Sequence, residues 1–384
     1  MTDQKFVSIA DLNLFTGVPQ HENLSRIKDL LPTRAMAPSS KPTAWPQGEA
    51  VTLPETYSFD GASRSTEQFL ENTDTGALLV LVDGVVRYER YRLSGGPDVA
   101  WLAMSVTKSF TSALVGIALA EGHIASVDDA ISDYVPVRAG SAYDGVSIRN
   151  VLQMSSGARW DESYSDPQSD SSRLAAVMAG LGTFDEFVAT AVRESEPGTV
   201  CRYNSTDTQA LGALVARATG RPLSEYMQEK LCEPLGMESP AYWIVDSAGS
   251  EMAFGGLNMT ARDFARFGEL FRNGGLWQGR QIIPAQWVRD SVAMTAPHLE
   301  VGRPWVGPDT VDLGYGYQWW RPAGDRGDFA AIGAYNQFVL VDPPSRTTVV
   351  KLSANRRFGM SELESDNRIL ENVALLRAIA AHTH

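Results

Sequence analysis

Ser105 and Lys108 stand three residues apart at the head of the stretch AMSVTKSFTSALVGIALAEG, residues 103–122. Val106, Phe110, Leu114 and Ile117 recur there at helical spacing, so the pair opens a helix bound for a core. Positions i and i+3 share a helix face, which lets the Ser105 hydroxyl and the Lys108 amine meet. A lysine in apolar surroundings loses basicity, because burial disfavours its charged form. A neutral amine beside a hydroxyl is a general base for acyl transfer. Free N–H groups at the helix start would favour negative charge at Ser105. The same two residues would equally serve as an N-cap and a snorkelling surface lysine. Ser25-Arg26-Ile27-Lys28 repeats the spacing, but with Leu31-Pro32 just beyond it reads as a solvated turn. A second cluster, Tyr203-Asn204-Ser205 in EPGTVCRYNSTDTQALGALVARATG, follows a Pro-Gly turn and precedes a helix. It would present a phenol and a hydroxyl into a cleft. The alternative is a packing tyrosine with Ser205 or Thr206 as N-cap.

The elements that must hold these groups are legible in outline. ALLVLVDGVVRYERYRL is two strand-like runs around Asp83-Gly84, a hairpin signal. Helical and loop segments alternate from about 125 to 300, with TQALGALVARATG and ARDFARFGELFRNGG the clearest helices. Strands return after 310 in GYGYQWWRP, FAAIGAYNQFVLVDP and RTTVVKLSA, and the apolar helix ENVALLRAIAAHT closes the chain. Strands at both ends and helices between them predict an α/β (α+β) two-lobe fold: one mainly antiparallel sheet built from both termini, with an inserted helical lobe. The expected layout is an irregular arm over 1–50 and one catalytic domain over 51–384. Its sheet lobe would span about 51–125 and 310–384, and its helical lobe about 126–309.

Composition narrows the classes of function. The formal charge of −13 over 384 residues argues against nucleic acid or anionic membrane as partners. Two cysteines, Cys201 and Cys232, cannot build a disulfide framework. CxxC, HExxH and Walker-type patterns are absent, so neither a metal nor a cofactor is expected. MTDQKFVSIADLNLF lacks the basic and apolar regions of a signal peptide, and no run is a transmembrane span. A cytoplasmic protein is the simplest expectation. G-x-S-x-G is absent, which counts against an α/β-hydrolase triad.

Five ordered blocks over about residues 76–355 resemble the penicillin-recognising serine hydrolases. The similar branch holds class C β-lactamases, family VIII-type esterases and 6-aminohexanoate-dimer hydrolases. The blocks are MSVTKSFTSALVGIALAEGHIASVDDAISDYVP, SIRNVLQMSSG, PGTVCRYNSTDTQALGALVARATGRPLSEYMQEKLCEPLGM, GGLNMTARDFARFGELFRNGG and GYGYQWW. The resemblance implies that Ser105 is the acylated nucleophile, Lys108 its base and Tyr203 the proton relay. It implies an oxyanion hole made by the backbone N–H groups of Ser105 and Ala334, the latter following Gly333. None of the five histidines is required.

Departures from the family pattern shape the expected substrate. The tyrosine motif ends in Ser205 where Asn is usual, a form that resembles 6-aminohexanoate-dimer hydrolase. Ala331-Ile332-Gly333 stands where Lys-Thr-Gly would hold a substrate carboxylate, so strong β-lactamase or D-Ala-D-Ala peptidase activity is not expected. WDESYSDP resembles the nylon-oligomer branch, whose lid tyrosine corresponds to Tyr164 and whose acidic substrate contact falls near Ala175. Trp319 and Trp320 are adjacent, so only one can face an acyl pocket. Trp319 is the expected one, with a core aromatic as the alternative. Substrate contacts are thus expected from Tyr164, Ser205, Ile332, Gly333 and Trp319. The expected activity is hydrolysis of small esters and some amides. Alternatives are an oligomer amidase or acyltransferase on the same site, or a binding protein of the penicillin-binding type that acylates without turnover. A small-molecule ester or amide is the expected partner, with a homodimer left open.

Overall fold

The computed structural model describes residues 20–163, 166–178, 180–302, 304–306, 309–310, 312–361 and 363–383. Its centre is a seven-stranded antiparallel sheet. The strands are β1 (Thr75–Val82), β2 (Val85–Tyr91), β3 (Leu313–Tyr315), β4 (Trp320–Pro322), β5 (Phe329–Gly333), β6 (Gln337–Asp342) and β7 (Thr347–Ser353), in the spatial order β3-β4-β5-β6-β7-β1-β2. The sheet is drawn from both ends of the chain, as the strand pattern predicted. Asp83 and Gly84 both take positive φ, 51° and 73°, which matches the turn twist to the strand twist and closes the β1–β2 hairpin. β1 is buried throughout, because both sheet faces are covered.

One face carries Val80, Ile332, Phe338, Leu340 and Val349 against the C-terminal helix Ile369–His382 through Val373, Leu376 and Ile379. The other packs on two helices, α1 (Thr107–Ala120) and Ala261–Arg272. Phe110 of α1 and Phe267 of the second helix stack at 3.7 Å between centroids. Gly268 permits the close approach to the sheet, since a Cβ there would lie 2.6 Å from Thr348 Cγ2. α1 is buried on every side from Thr107 to Ala118, so it is a central helix and not an amphipathic one. The inserted segment contributes α2 (Ser205–Thr219), which packs against α1.

The expectation of an irregular 1–50 arm is corrected over residues 21–36, whereas 37–50 form no helix or strand beyond one isolated bridge at Gln47. His21–Leu24 and Ile27–Leu30 are helical turns, and Thr33–Met36 pairs antiparallel with Ala241–Ile244. Leu24, Ile27, Leu30 and Leu31 are buried; the Pro/Ser-rich stretch beyond them hid this apolar spacing. That pairing belongs to a four-stranded sheet that also contains Leu257–Met259 and Trp101–Leu102. It pins the chain directly before Ser105. Among the described residues no helix is long and apolar enough to cross a membrane.

Candidate active site

Ser105 sits in a 3-10 turn, Met104–Val106, that leads into α1. This turn runs straight into the first helical turn, which carries Lys108 three residues on from Ser105. Met104 has φ 48°, unusual for a long side chain and a sign that its surroundings hold the turn. Ala103 N–H donates to the Leu257 carbonyl at 2.8 Å and supplies part of that hold.

Lys108 is 1% exposed. Its Nζ lies 2.8 Å from Ser105 Oγ, 3.1 Å from Ser205 Oγ and 2.9 Å from the Phe254 carbonyl. These three oxygens are its hydrogen-bond partners among the described residues. Burial pulls its pKa down to about 7, against a small opposing pull from the Glu162 carboxylate. A neutral amine has two N–H bonds and one lone pair. The Phe254 carbonyl can only accept, so one N–H goes there; with the second on Ser205, the lone pair is left for the Ser105 hydroxyl.

Ser205 is available because it does not cap its helix. Asn204 is the N-cap of α2, its Oδ1 accepting from Thr206 N–H at 2.8 Å. The loop before it is stitched to the segment Gln153–Ser156. Arg202 N–H donates to the Met154 carbonyl at 2.7 Å, Asn204 N–H to Met154 Sδ at 3.3 Å and Ser156 Oγ to Asp207 Oδ1 at 2.6 Å. Asp207 also accepts from Tyr143 at 2.8 Å, and burial pushes its carboxyl up to about 7. Tyr203 is 7% exposed. Its ring lies 4.9 Å from Lys108 Nζ and is flanked by Trp320 at 5.4 Å and Tyr315 at 6.3 Å. Burial first, and the Glu162 charge second, push the phenol well above its usual range, while a hydrogen bond with Ser105 pulls the other way. Tyr203 therefore holds its proton at neutral pH.

Ala334 and Ser105 line one cavity of about 40 Å³. Gly333 makes this possible: a Cβ there would sit 2.5 Å from the Ala103 carbonyl and 3.0 Å from Ser105 N, so only glycine lets the end of β5 lie against the Ser105 turn. The rest of the wall is largely apolar, with Trp160, Leu174, Ala175, Met178, Met252 and Phe254, and Glu162 is its one carboxylate among the described residues.

Two expected substrate contacts lie elsewhere. Ile332 points through the sheet into the core under the C-terminal helix, because strand pleating sends it opposite to Ala331. Trp319 is 0% exposed, stacks with Phe267 and packs at a tilt against Phe271; its neighbour Trp320 is the one that meets Tyr203. Tyr164 lies outside the described residues. Ser205 and Gly333 are at the site. Sequence reasoning missed Glu162, although it sits inside the quoted WDESYSDP, and Phe254, which acts through a backbone carbonyl and leaves no residue-type signal.

A family model described as Beta-lactamase matches residues 62–374. The chain is 31% identical over 342 residues to the 6-aminohexanoate-dimer hydrolase of Paenarthrobacter ureafaciens, covering 86% of this chain and 84% of that one. Among solved structures it is similar to a Bacillus anthracis protein provisionally called a 6-aminohexanoate-dimer hydrolase, with TM-score 0.83, 22% identity and 98% of each chain covered. It is also similar to EstCE1, described as a hydrolase with promiscuous acyltransferase activity, with TM-score 0.61, 17% identity and coverage of 82% and 96%. At these identities the two structural likenesses show a shared fold.

Proposed function

The chain belongs to the beta-lactamase family of serine hydrolases, and from that premise we propose that it cleaves small carboxylic esters, and some amides, through an acyl-enzyme on Ser105. The observation that carries this reading is the fully buried Lys108, bonded to the Ser105 and Ser205 hydroxyls and held near neutrality. The neutral amine takes the Ser105 proton as Oγ attacks the carbonyl carbon. The carbonyl oxygen becomes an oxyanion, and the backbone N–H groups of Ser105 and Ala334 are its assigned donors. One such donor is typically worth about 3–4 kcal/mol. As the tetrahedral intermediate collapses, the leaving alkoxide or amine takes the Tyr203 proton, and Tyr203 is reprotonated from Lys108. Water then repeats the sequence on the acyl-enzyme and restores Ser105.

The small apolar cavity suits a short neutral acyl group. Ala331 and Ile332 supply no cation for a substrate carboxylate, and Glu162 on the wall repels one. This favours esters over cephalosporins. The relative from Paenarthrobacter ureafaciens is named for hydrolysis of the 6-aminohexanoate dimer, which supports the inclusion of linear amides. The test is intact-mass measurement after rapid quenching of the enzyme with a panel of short p-nitrophenyl esters, a linear amide and a cephalosporin. An acyl adduct on wild type from the esters, absent in Ser105→Ala and present in Ser25→Ala, is the expected result. An adduct that survives Ser105→Ala would remove Ser105 as nucleophile.

A further inference from the structure

The turn joining β3 to β4, within GYGYQWW, takes no part in the chemistry above, yet its Gln318 bonds to α1, to α2 and to the segment beneath the Tyr203 loop. Gln318 is 1% exposed and has φ 64°. A non-glycine residue persists in that conformation when its surroundings over-determine it. Its backbone carbonyl accepts from Ser109 Oγ at 2.6 Å, and Ser109 lies one turn along α1 from Ser105. Its side-chain Oε1 accepts from Thr208 Oγ1 at 2.7 Å, and Thr208 lies one turn along α2 from Ser205. Its Nε2 donates to the Leu152 carbonyl at 2.8 Å, two residues before Met154, which anchors the Tyr203 loop. The Leu152 carbonyl can only accept, so the partners fix the amide orientation. The strands on either side place Tyr315 and Trp320 against the Tyr203 ring.

We propose that Gln318 is a positioning residue, which sets the separation between the Ser105–Lys108 pair at the head of α1 and the Tyr203–Ser205 pair at the head of α2. It lines no part of the Ser105 cavity and acts through the helices it ties. Glutamine is required because one side-chain end must both accept from Thr208 and donate to Leu152; Glu lacks the donor and Leu lacks both. Loss of the tie lets α2 shift against α1, and proton delivery through Tyr203 suffers first. Misplacement of about 1 Å costs on the order of 100-fold in rate.

The proposal rests on the acyl-enzyme reading, and its test separates the two. Kinetic constants are measured on a p-nitrophenyl ester, whose leaving group needs no proton, and on the ethyl ester of the same acid, whose leaving group does. Tyr203→Phe should lose about 10²–10⁴-fold on the ethyl ester and much less on the p-nitrophenyl ester. Gln318→Ala should show the same split, with kcat for the ethyl ester down about 10–100-fold and KM little changed. In the Tyr203→Phe background the extra ethyl-ester loss from Gln318→Ala should vanish, because both act on one proton transfer. Thr208→Val, which keeps the shape and removes one bond, should give a smaller version of the split and serves if Gln318→Ala folds poorly. Equal losses on both esters that multiply with those of Tyr203→Phe would mean a merely structural role and overturn the proposal. A Tyr203→Phe variant without the split would instead bring down the proton-relay reading, and this proposal with it.

Discussion

Among the described residues two lysines are fully buried, and their surroundings differ. Lys108 lies in α1 and Lys351 in β7. Among the described residues neither is bonded to a carboxylate, each is bonded to hydroxyls, and each stands over an aromatic ring. Lys351 Nζ reaches Ser353 Oγ at 2.6 Å and Thr73 Oγ1 at 3.1 Å. Burial depresses both amines, and nearby Arg368 pushes Lys351 further the same way. A depressed lysine beside a serine is therefore not enough to mark a catalytic centre. What separates them is access. Thr73, Lys351 and Ser353 are all 0% exposed, sealed between the sheet and its flanking helices, whereas Ser105 opens onto a cavity that also holds Ala334 and Glu162. The left-handed Met104 opens the turn that carries Ser105, and both residues line that cavity.

Paired substitutions sharpen this contrast. Lys108→Arg keeps the charge but removes the base, since guanidinium does not deprotonate in this range. It should lose at least about 100-fold in kcat/KM for any ester. Lys351→Met should leave kcat/KM unchanged and shift stability by about 1 kcal/mol, because Thr73 Oγ1 keeps the Phe69 carbonyl and Ser353 Oγ keeps Thr75. Activity assays beside thermal melts check both, and a Lys108→Arg variant near wild-type turnover would make Lys108 another structural lysine.

A smaller effect should appear in the pH dependence of stability. Unfolded lysine titrates near 10.4, well above either folded amine. Between the folded pKa and that value the unfolded chain binds more protons, so stability rises with pH. For Lys108 the window opens at about 7. Denaturant midpoints at pH 7 and pH 9 should show the rise in wild type, and a reduced rise in Lys351→Met.

The contact between Ser105 and Lys108 was legible because it depends on residue types at a local helical spacing. The sheet was legible because Asp83-Gly84 and the late apolar runs carry period and turn signals. Trp319 was assigned to the wrong place because the positive φ at Gln318 interrupts the strand directly before it. Ile332 was misplaced because motif position was followed in place of pleat parity. The Phe254 carbonyl, the left-handed Met104 and the sealed environment of Lys351 are tertiary facts. In sequence, Lys351 in TTVVKLSAN does not differ from an edge-strand lysine facing water.

The central claim is that Lys108 is a neutral base for Ser105 near physiological pH. Its most direct test is the pH dependence of kcat/KM for a p-nitrophenyl ester, which reports the free enzyme's essential groups. Because Asp207 is also pushed up to about 7, the profile is run on Asp207→Asn as well. The account predicts a rising limb of unit slope centred near 7 that persists in Asp207→Asn, levelling above it as Lys108 loses its proton. A limb that appears only toward pH 10, or one that disappears in Asp207→Asn, would contradict it.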